Sequence, residues 1–277
     1  MAGGAQDAAG LVVWRALPPL RARLLEHWIT GGTRLGAGGR WLFTGLSHAL
    51  DAEYYGAATT TRRREAIKAL CMGEDSGVRW AKEYLKRGFP DPFTPLIAMF
   101  GELEARLAAG AVARVHQVAC CSGREIAHFA RRYPRVAFTG SDADPSIVEF
   151  LRDTWRELPN LSFAVVKLDE PGEAGMESMR GDVVFASGGL HYLDPDSLRR
   201  LFAGTRSVAG TFLLSQPLAR DYASDGPHGS SPRGQLSWNH PYPRYLREAG
   251  WKRVSCSEGK TEELLHVKNV SVSADAV

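Results

Sequence analysis

Val115–Glu125 (VHQVACCSGRE) and, further along, Phe138–Pro145 (FTGSDADP) are the two stretches that decide how this chain of 277 residues folds. The first is a short apolar run that ends in small residues and a glycine, with a helix-like segment behind it from Glu125 to Arg132. The second is another apolar run, and it ends at an acid, Asp142. Together they form the arrangement by which a parallel sheet holds an adenosine. A tight strand-to-helix turn lets backbone approach the ligand, and a carboxylate at the tip of the next strand accepts hydrogen bonds from the ribose hydroxyls. Nicotinamide cofactors and S-adenosylmethionine are both held in this way, so the two stretches alone leave both open.

Outward from this pair, strand and helix patterns alternate. Strands are expected at 115–120, 136–141, 161–166, 182–187 and 209–215, with helices at 124–132, 145–157, 172–180 and 195–205. Each strand is a nearly continuous apolar run, as expected where helices cover both faces of a parallel sheet. Pro243–Gly250 reads as a helix with a glycine stop, and Trp251–Cys256 and Glu263–Val267, joined by residues 257–261, as a hairpin. Before residue 110 the spacing is helical. Leu20, Leu24, Leu25 and Trp28 share one helix face, a capped helix starts near Thr60 and carries Ile67, Leu70 and Cys71, and another starts at Asp75 or Ser76 and stops at Gly88. A stiff Phe89–Pro95 connector precedes a longer helix from about Pro95 to Ala109. The expected organisation is a helical region, 1–110, which covers the site or builds a homodimer interface, followed by an α/β domain, 111–277. The first dozen residues and Ser273–Val277 are expected to fray.

Composition restricts the partners. Hydrophobic residues make up 44% and charged residues 23%, as in an ordinary globular protein. The net charge of +3 arises entirely before residue 111, where 14 Lys and Arg face 11 Asp and Glu; beyond it the count is 20 against 20. The one basic run, Arg62–Arg64, is followed at once by Glu65 and reads as a solvated helix start, so no nucleic-acid partner is expected. Cys71, Cys120, Cys121 and Cys256 form no CxxC pair and no metal-ligand spacing with His, and they read as free thiols in a reducing cytoplasm. No metal is expected. The N-terminus lacks the charge-then-apolar pattern of a signal peptide, and no run approaches the ~18 apolar residues that cross a bilayer. No membrane partner and a cytoplasmic location are the expectations.

Residues from about 115 to 257 resemble a class I S-adenosylmethionine-dependent methyltransferase domain. Gln117-Val-Ala-Cys-Cys-Ser-Gly123 matches the family's acidic-x-Gly-x-Gly-x-Gly loop, with Ala119 and Cys121 where glycines are expected and Gln117 where an acid is expected. The resemblance implies an α/β fold: a doubly wound, mostly parallel seven-stranded sheet with a terminal antiparallel hairpin, preceded here by the helical region. It also implies S-adenosylmethionine as cofactor. Gln117, Ala119, Cys121, Ser122 and Gly123 would form its loop, Asp142 and Ala143 would meet the ribose, Leu168 and Asp169 the adenine, and Ser187 would end the fourth strand beside it.

Methyl transfer needs an aligned nucleophile, exclusion of water and a route for the acceptor's proton. Side chains just past the fourth strand face the reacting centre, which makes His191 the first candidate for a general base, with Tyr192 beside it. Gly188 and Gly189 permit a sharp turn or leave room for substrate. The Gly/Ser/Pro-rich stretch 224–234 reads as a lid. After it, His240 is the second base candidate, and Asn239 either reaches the acceptor or caps the next helix. Trp28, Tyr54 and Tyr55 are candidates for a substrate wall or for core. The activity that follows is methyl transfer to a small-molecule metabolite at O, N or C. The alternatives are a catalytically silent protein of the same fold and an NAD-dependent oxidoreductase, which the terminal hairpin and the shape of the first loop disfavour.

Overall fold

The structure, a computed structural model, describes residues 8–13, 37–56, 59, 63–64, 66–67, 76–90, 97–234, 236–262 and 267–277. The chain divides into two compact units, residues 1–76 with 234–236, and residues 77–233 with 237–277. In the first, α1 (Ala37–Tyr54) buries Leu46, Leu50 and Tyr54, which recur every fourth residue and so lie along one helix face. Trp28, Leu20–Leu25 and Cys71 lie outside the described residues.

The second unit holds the sheet. Its elements are α2 (Ser76–Arg87), α3 (Ala98–Ala108), β1 (Arg114–Val118), α4 (Arg124–Arg132), β2 (Ala137–Asp142), α5 (Pro145–Thr154), β3 (Leu161–Val165), α6 (Gly172–Ser178), β4 (Gly181–Ser187), α7 (Pro195–Thr205), β5 (Ala209–Ala219), α8 (Tyr242–Glu248), and two last strands, β8 (Lys252–Glu262) and β9 (Val267–Asp275). A separate ribbon pairs β6 (Ser231–Gly234) with β7 (Ser237–Asn239). The seven-stranded sheet runs β3-β2-β1-β4-β5-β9-β8, with β1 to β5 parallel and β9 antiparallel to both of its neighbours.

Both faces are covered, and alternate residues of β4 show it. Val183 and Phe185 pack with Met99, Leu103, Ile126 and Phe129 from α3 and α4, while Val184 and Ala186 pack with Leu198, Phe202 and Tyr245 from α7 and α8. The compact division falls at Ser76, and α3 spends its buried face on the sheet. Two helices start on Asp-Pro. Asp144 accepts from the Ser146 amide and Asp194 from those of Asp196 and Ser197, each with proline in the first turn where no amide hydrogen is needed.

The end of the chain corrects two expectations. The hairpin's first strand continues through residues 257–262 instead of turning there, and its second strand is Val267–Asp275. Ser273 and Ala274 belong to that strand and are buried, so the segment expected to fray is held in the sheet. The cause is the alternation of Val270, Val272 and Ala274, which point into the core while the intervening residues point away.

Strand order reverses at β1, whose neighbours are β2 and β4. The connections after β1 and β4 therefore leave in opposite directions and open a crevice beyond the carboxyl ends of the strands. His116, buried in β1, ties this point together through Nδ1 to Thr139 Oγ1 at 2.7 Å and Nε2 to Ser141 Oγ at 2.9 Å.

Candidate active site

The loop after β1 carries three left-handed residues in alternation: Ala119 (φ 51°), Cys121 (φ 47°) and Gly123 (φ 63°). These are the three positions at which the resemblance expects glycine. The backbone has kept the glycine conformation while two of the glycines are gone, at a strain of roughly 1–2 kcal/mol for each residue with a Cβ. Other groups hold the loop in place. The Cys121 amide donates to Asp142 Oδ2 at 3.0 Å, the Asp144 amide to Asp142 Oδ1 at 3.2 Å, and Trp155 Nε1 to the Ser122 carbonyl at 3.1 Å. Gly123 cannot carry a side chain, since a Cβ would stand 3.1 Å from both Phe163 and Trp155. Ala119's methyl has a counterpart across the crevice: a Cβ on Gly189 would lie 2.6 Å from it, so the second loop supplies the space that the first has used.

Charge in the crevice is set by burial. Desolvation raises the Asp142 carboxyl above its ordinary value, opposed by the amides of Cys121, Asp144 and Ala143. Burial and the nearby Asp142 push the Cys121 thiol up to about 12, so it is a neutral, unreactive group there. Cys120, Cys121 and Cys256 are all free. Gln117 is buried at 1% exposure, and its Oε1 has no hydrogen-bond partner, an acceptor left over in the floor of the loop.

Residues 115–210 match the family described as "Methyltransferase domain". Over that stretch the chain carries a methyltransferase domain. Among solved structures, the N-terminal domain of EvdMO1 with SAH bound is similar at 16% identity and a TM-score of 0.51, over 68% of this chain and 85% of that one. The N-methyltransferase NodS from Bradyrhizobium japonicum WM9, in complex with S-adenosyl-L-homocysteine, is similar at 14% identity and a TM-score of 0.48, over 83% and 97%. The likeness to EvdMO1 speaks for the fold alone. No curated protein matches the chain in sequence.

The methyltransferase's second loop begins at Gly188 (φ 77°) and Gly189 (φ 83°) and coils into a short helical turn, Leu190–Tyr192. That turn carries His191, which is buried at 7% exposure with its Nδ1 3.3 Å from Gln216 Oε1. Gln216 has its orientation fixed by donating from Nε2 to the Gly188 carbonyl at 2.9 Å. Its Oε1 must therefore accept, which places the proton of His191 on Nδ1 and the lone pair on Nε2. Burial, with the positive charge of Arg233, lowers the His191 pKa to about 3. Tyr192 stacks against it at 4.1 Å and is 42% exposed.

His240 is held differently. Its Nε2 donates to the Leu193 carbonyl at 3.1 Å, and its Nδ1 lies 2.7 Å from Ser230 Oγ, which also contacts the Tyr245 hydroxyl at 2.7 Å. Both ring nitrogens are engaged, and the ring is wholly buried. Asn239 is engaged too, accepting from the Ala219 amide at 2.8 Å and donating to Ser231 Oγ at 3.3 Å; the helix after it has Pro241 at its cap and no side-chain cap.

The other expected residues are scattered. Ser187 ends β4 opposite Ser215, and Ala143 is exposed beside Asp142. Leu168 is buried in the core on the α7 side, and Asp169 lines an open recess of about 660 Å³ with Met176, Arg200 and Val208. Tyr54 is buried in the first unit, edge-on to Tyr55 with ring centroids 5.0 Å apart.

Three contributors escaped the sequence reading. Gln216 sits in an apolar strand and gave no signal. Glu125, in the first turn of α4, reads as an ordinary dipole partner. Tyr84 lies on α2, which packs across the loop. Arg124 pins that helix by donating to the carbonyls of Gly88 at 2.5 Å and Tyr84 at 3.3 Å, and a Cβ on Gly77 would come 2.6 Å from Asp144 Oδ2. Burial raises the Tyr84 phenol pKa, and Cys121 and Glu125 lie close enough to add to the effect.

Proposed function

We propose that this methyltransferase acts on a small organic acceptor, at O, N or C, held beyond the carboxyl ends of β1 and β4, and that His191 receives or orients the acceptor's proton. The observation that carries the reading is the tautomer of His191. Gln216 takes the Nδ1 proton, which leaves the lone pair on Nε2, for which no hydrogen bond is present among the described residues. His240, saturated by Leu193 and Ser230, serves as scaffold for the segment that follows β5.

When bound, S-adenosylmethionine supplies a methyl group already activated by its sulfonium, so the protein's tasks are alignment, dryness and a proton route. Gln117, Ala119, Cys121, Ser122 and Gly123 would hold it through the left-handed loop, and Asp142 through its remaining carboxylate lone pairs. The orphan Gln117 Oε1 is the feature of this chain that fits a bound group with hydrogens to donate. α2 lies against the same loop and limits the access of water. His191, neutral at physiological pH and with no carboxylate behind it, is better suited to accept a hydrogen bond from an O–H or N–H and orient its lone pair than to store a full proton.

Isothermal calorimetry with S-adenosylhomocysteine and NADH, run side by side, tests the donor half. Binding of the first and not the second is expected, and the reverse would end the reading. With an acceptor found by screening for label transfer, His191→Ala should lower turnover by about 10²–10⁴-fold with donor affinity nearly unchanged, while His240→Ala should act through stability. Parent turnover in His191→Ala would leave alignment and desolvation as the whole mechanism.

A further inference from the structure

Gln117 stands where the resembling family has an acid, and it brings no charge to the floor of the loop. Its amide is nonetheless not alone. Nε2 lies 3.5 Å from Glu125 Oε2, and the Glu125 carboxylate is itself nine-tenths buried. Arg124 pairs with the other oxygen, Nε to Oε1 at 3.1 Å, and spends its Nη1 on the Gly88 and Tyr84 carbonyls. Two acceptors therefore lie side by side at the base of the loop: Gln117 Oε1, buried with no partner, and Glu125 Oε2 with one long contact. Buried acceptors without donors are costly, and a carboxylate more so than an amide. Among the described residues, Arg124 supplies a cation at Glu125 Oε1 only; Glu125 Oε2 and Gln117 Oε1 share no cationic donor of their own. A primary ammonium meets that need, and the donor carries one on its amino-acid portion.

We infer that Glu125 has taken over the charge of the missing acid, and that Glu125 Oε2 and Gln117 Oε1 together bind the α-ammonium of S-adenosylmethionine. This rests on S-adenosylmethionine being the donor. The acid has moved from the strand to the first turn of α4, eight residues on, while its charge stays beside the same atom of the ligand. The relocation also accounts for Arg124: it anchors α2 by two carbonyls and fixes one oxygen of Glu125, while the other lies beside Gln117.

The test compares two ligands that differ in the group concerned. S-Adenosylhomocysteine carries the ammonium, and 5′-methylthioadenosine lacks the amino-acid portion while keeping the adenosine. Both are titrated by calorimetry into the full-length parent, Glu125→Gln, and the exchanged pair Gln117→Glu with Glu125→Gln. Glu125→Gln should lose roughly ten- to a hundredfold in affinity for S-adenosylhomocysteine and stay within about twofold for methylthioadenosine, as expected for one charge-assisted bond. The exchanged pair should regain most of the loss. Unchanged affinity of Glu125→Gln for S-adenosylhomocysteine would overturn the assignment while leaving the donor intact, as would an equal loss for both ligands, which marks a merely structural carboxylate. A parent that binds neither ligand would overturn the donor itself and the assignment with it.

Discussion

Taking the protein from pH 7 to pH 5 should cost it about 6 kcal/mol through three imidazoles alone. His116, His191 and His240 are buried, and desolvation is the first cause that lowers each of their pKa values to about 3. In the unfolded chain each returns to about 6.5. With the native value depressed, the stabilisation is complete above the unfolded pKa and is lost as pH falls through the window from about 6.5 towards 3. At pH 5 the unfolded imidazole is charged and the native one is not. The loss per group is about 1.4 kcal/mol for each unit below 6.5, or about 2 kcal/mol. That figure is insensitive to the native value, provided it lies well under 5. Three such losses compare with a typical total stability of ~5–15 kcal/mol. The assay is urea unfolding of the parent and of His116→Gln at pH 6.5, 6.0, 5.5 and 5.0. His116 is the group to vary because it lies in the sheet, bonded to Thr139 and Ser141 and away from the crevice loops. The variant should show a pH slope shallower by one proton, about 1.4 kcal/mol per pH unit, and the comparison cancels the carboxylates common to both proteins. Equal slopes would refute the idea that His116 is held neutral in the native state.

Three further outcomes follow from the loops. Cys121→Gly should bind S-adenosylhomocysteine like the parent and gain up to about 1 kcal/mol in denaturant unfolding, since glycine relieves the left-handed strain; Cys121→Trp should fold and lose binding, and normal binding by it would move the donor elsewhere. Gly189→Ala should destabilise the fold both by its φ of 83° and by the approach to Ala119, so a double-mutant cycle with Ala119→Gly should show a coupling of about 0.5–3 kcal/mol, whereas strict additivity would mean that the loops do not touch. Gln216→Glu should raise the His191 pKa by a unit or more, read from its ring protons by NMR, because a carboxylate would then face Nδ1; an unmoved titration would separate the two side chains.

How much was legible in the sequence depended on whether a signal was periodic or spatial. Strands buried on both faces, such as Val183–Ala186, announce themselves as apolar runs, and Asp144-Pro145 and Asp194-Pro195 mark helix starts locally. β9 was misplaced because the apolar run around Leu264 and Leu265 is a stronger signal than the alternation of Val270, Val272 and Ala274 with serines. In the candidate site, Asp142 and His191 are legible as candidates because one ends a recognisable strand and the other follows one. His240 carried the same residue type to a place where Ser230 and Leu193 consume it, and no spacing reveals that. Gln216 gains its meaning from His191 on a different loop, and Glu125 from Gln117 on the preceding strand, contacts that only the fold makes.

The position of β9 carries a consequence for how the chain assembles. β8 is synthesised first, yet its ladder partner in the sheet is β9, which pairs on its other side with β5. Until β9 arrives, β5 presents a raw strand edge and β8 lacks its ladder partner, so nascent chains pass through a stage in which the β5 edge that β9 later closes is exposed. The final strand inserts as a wedge, and a chaperone would find its work between the emergence of residue 219 and that of residue 275.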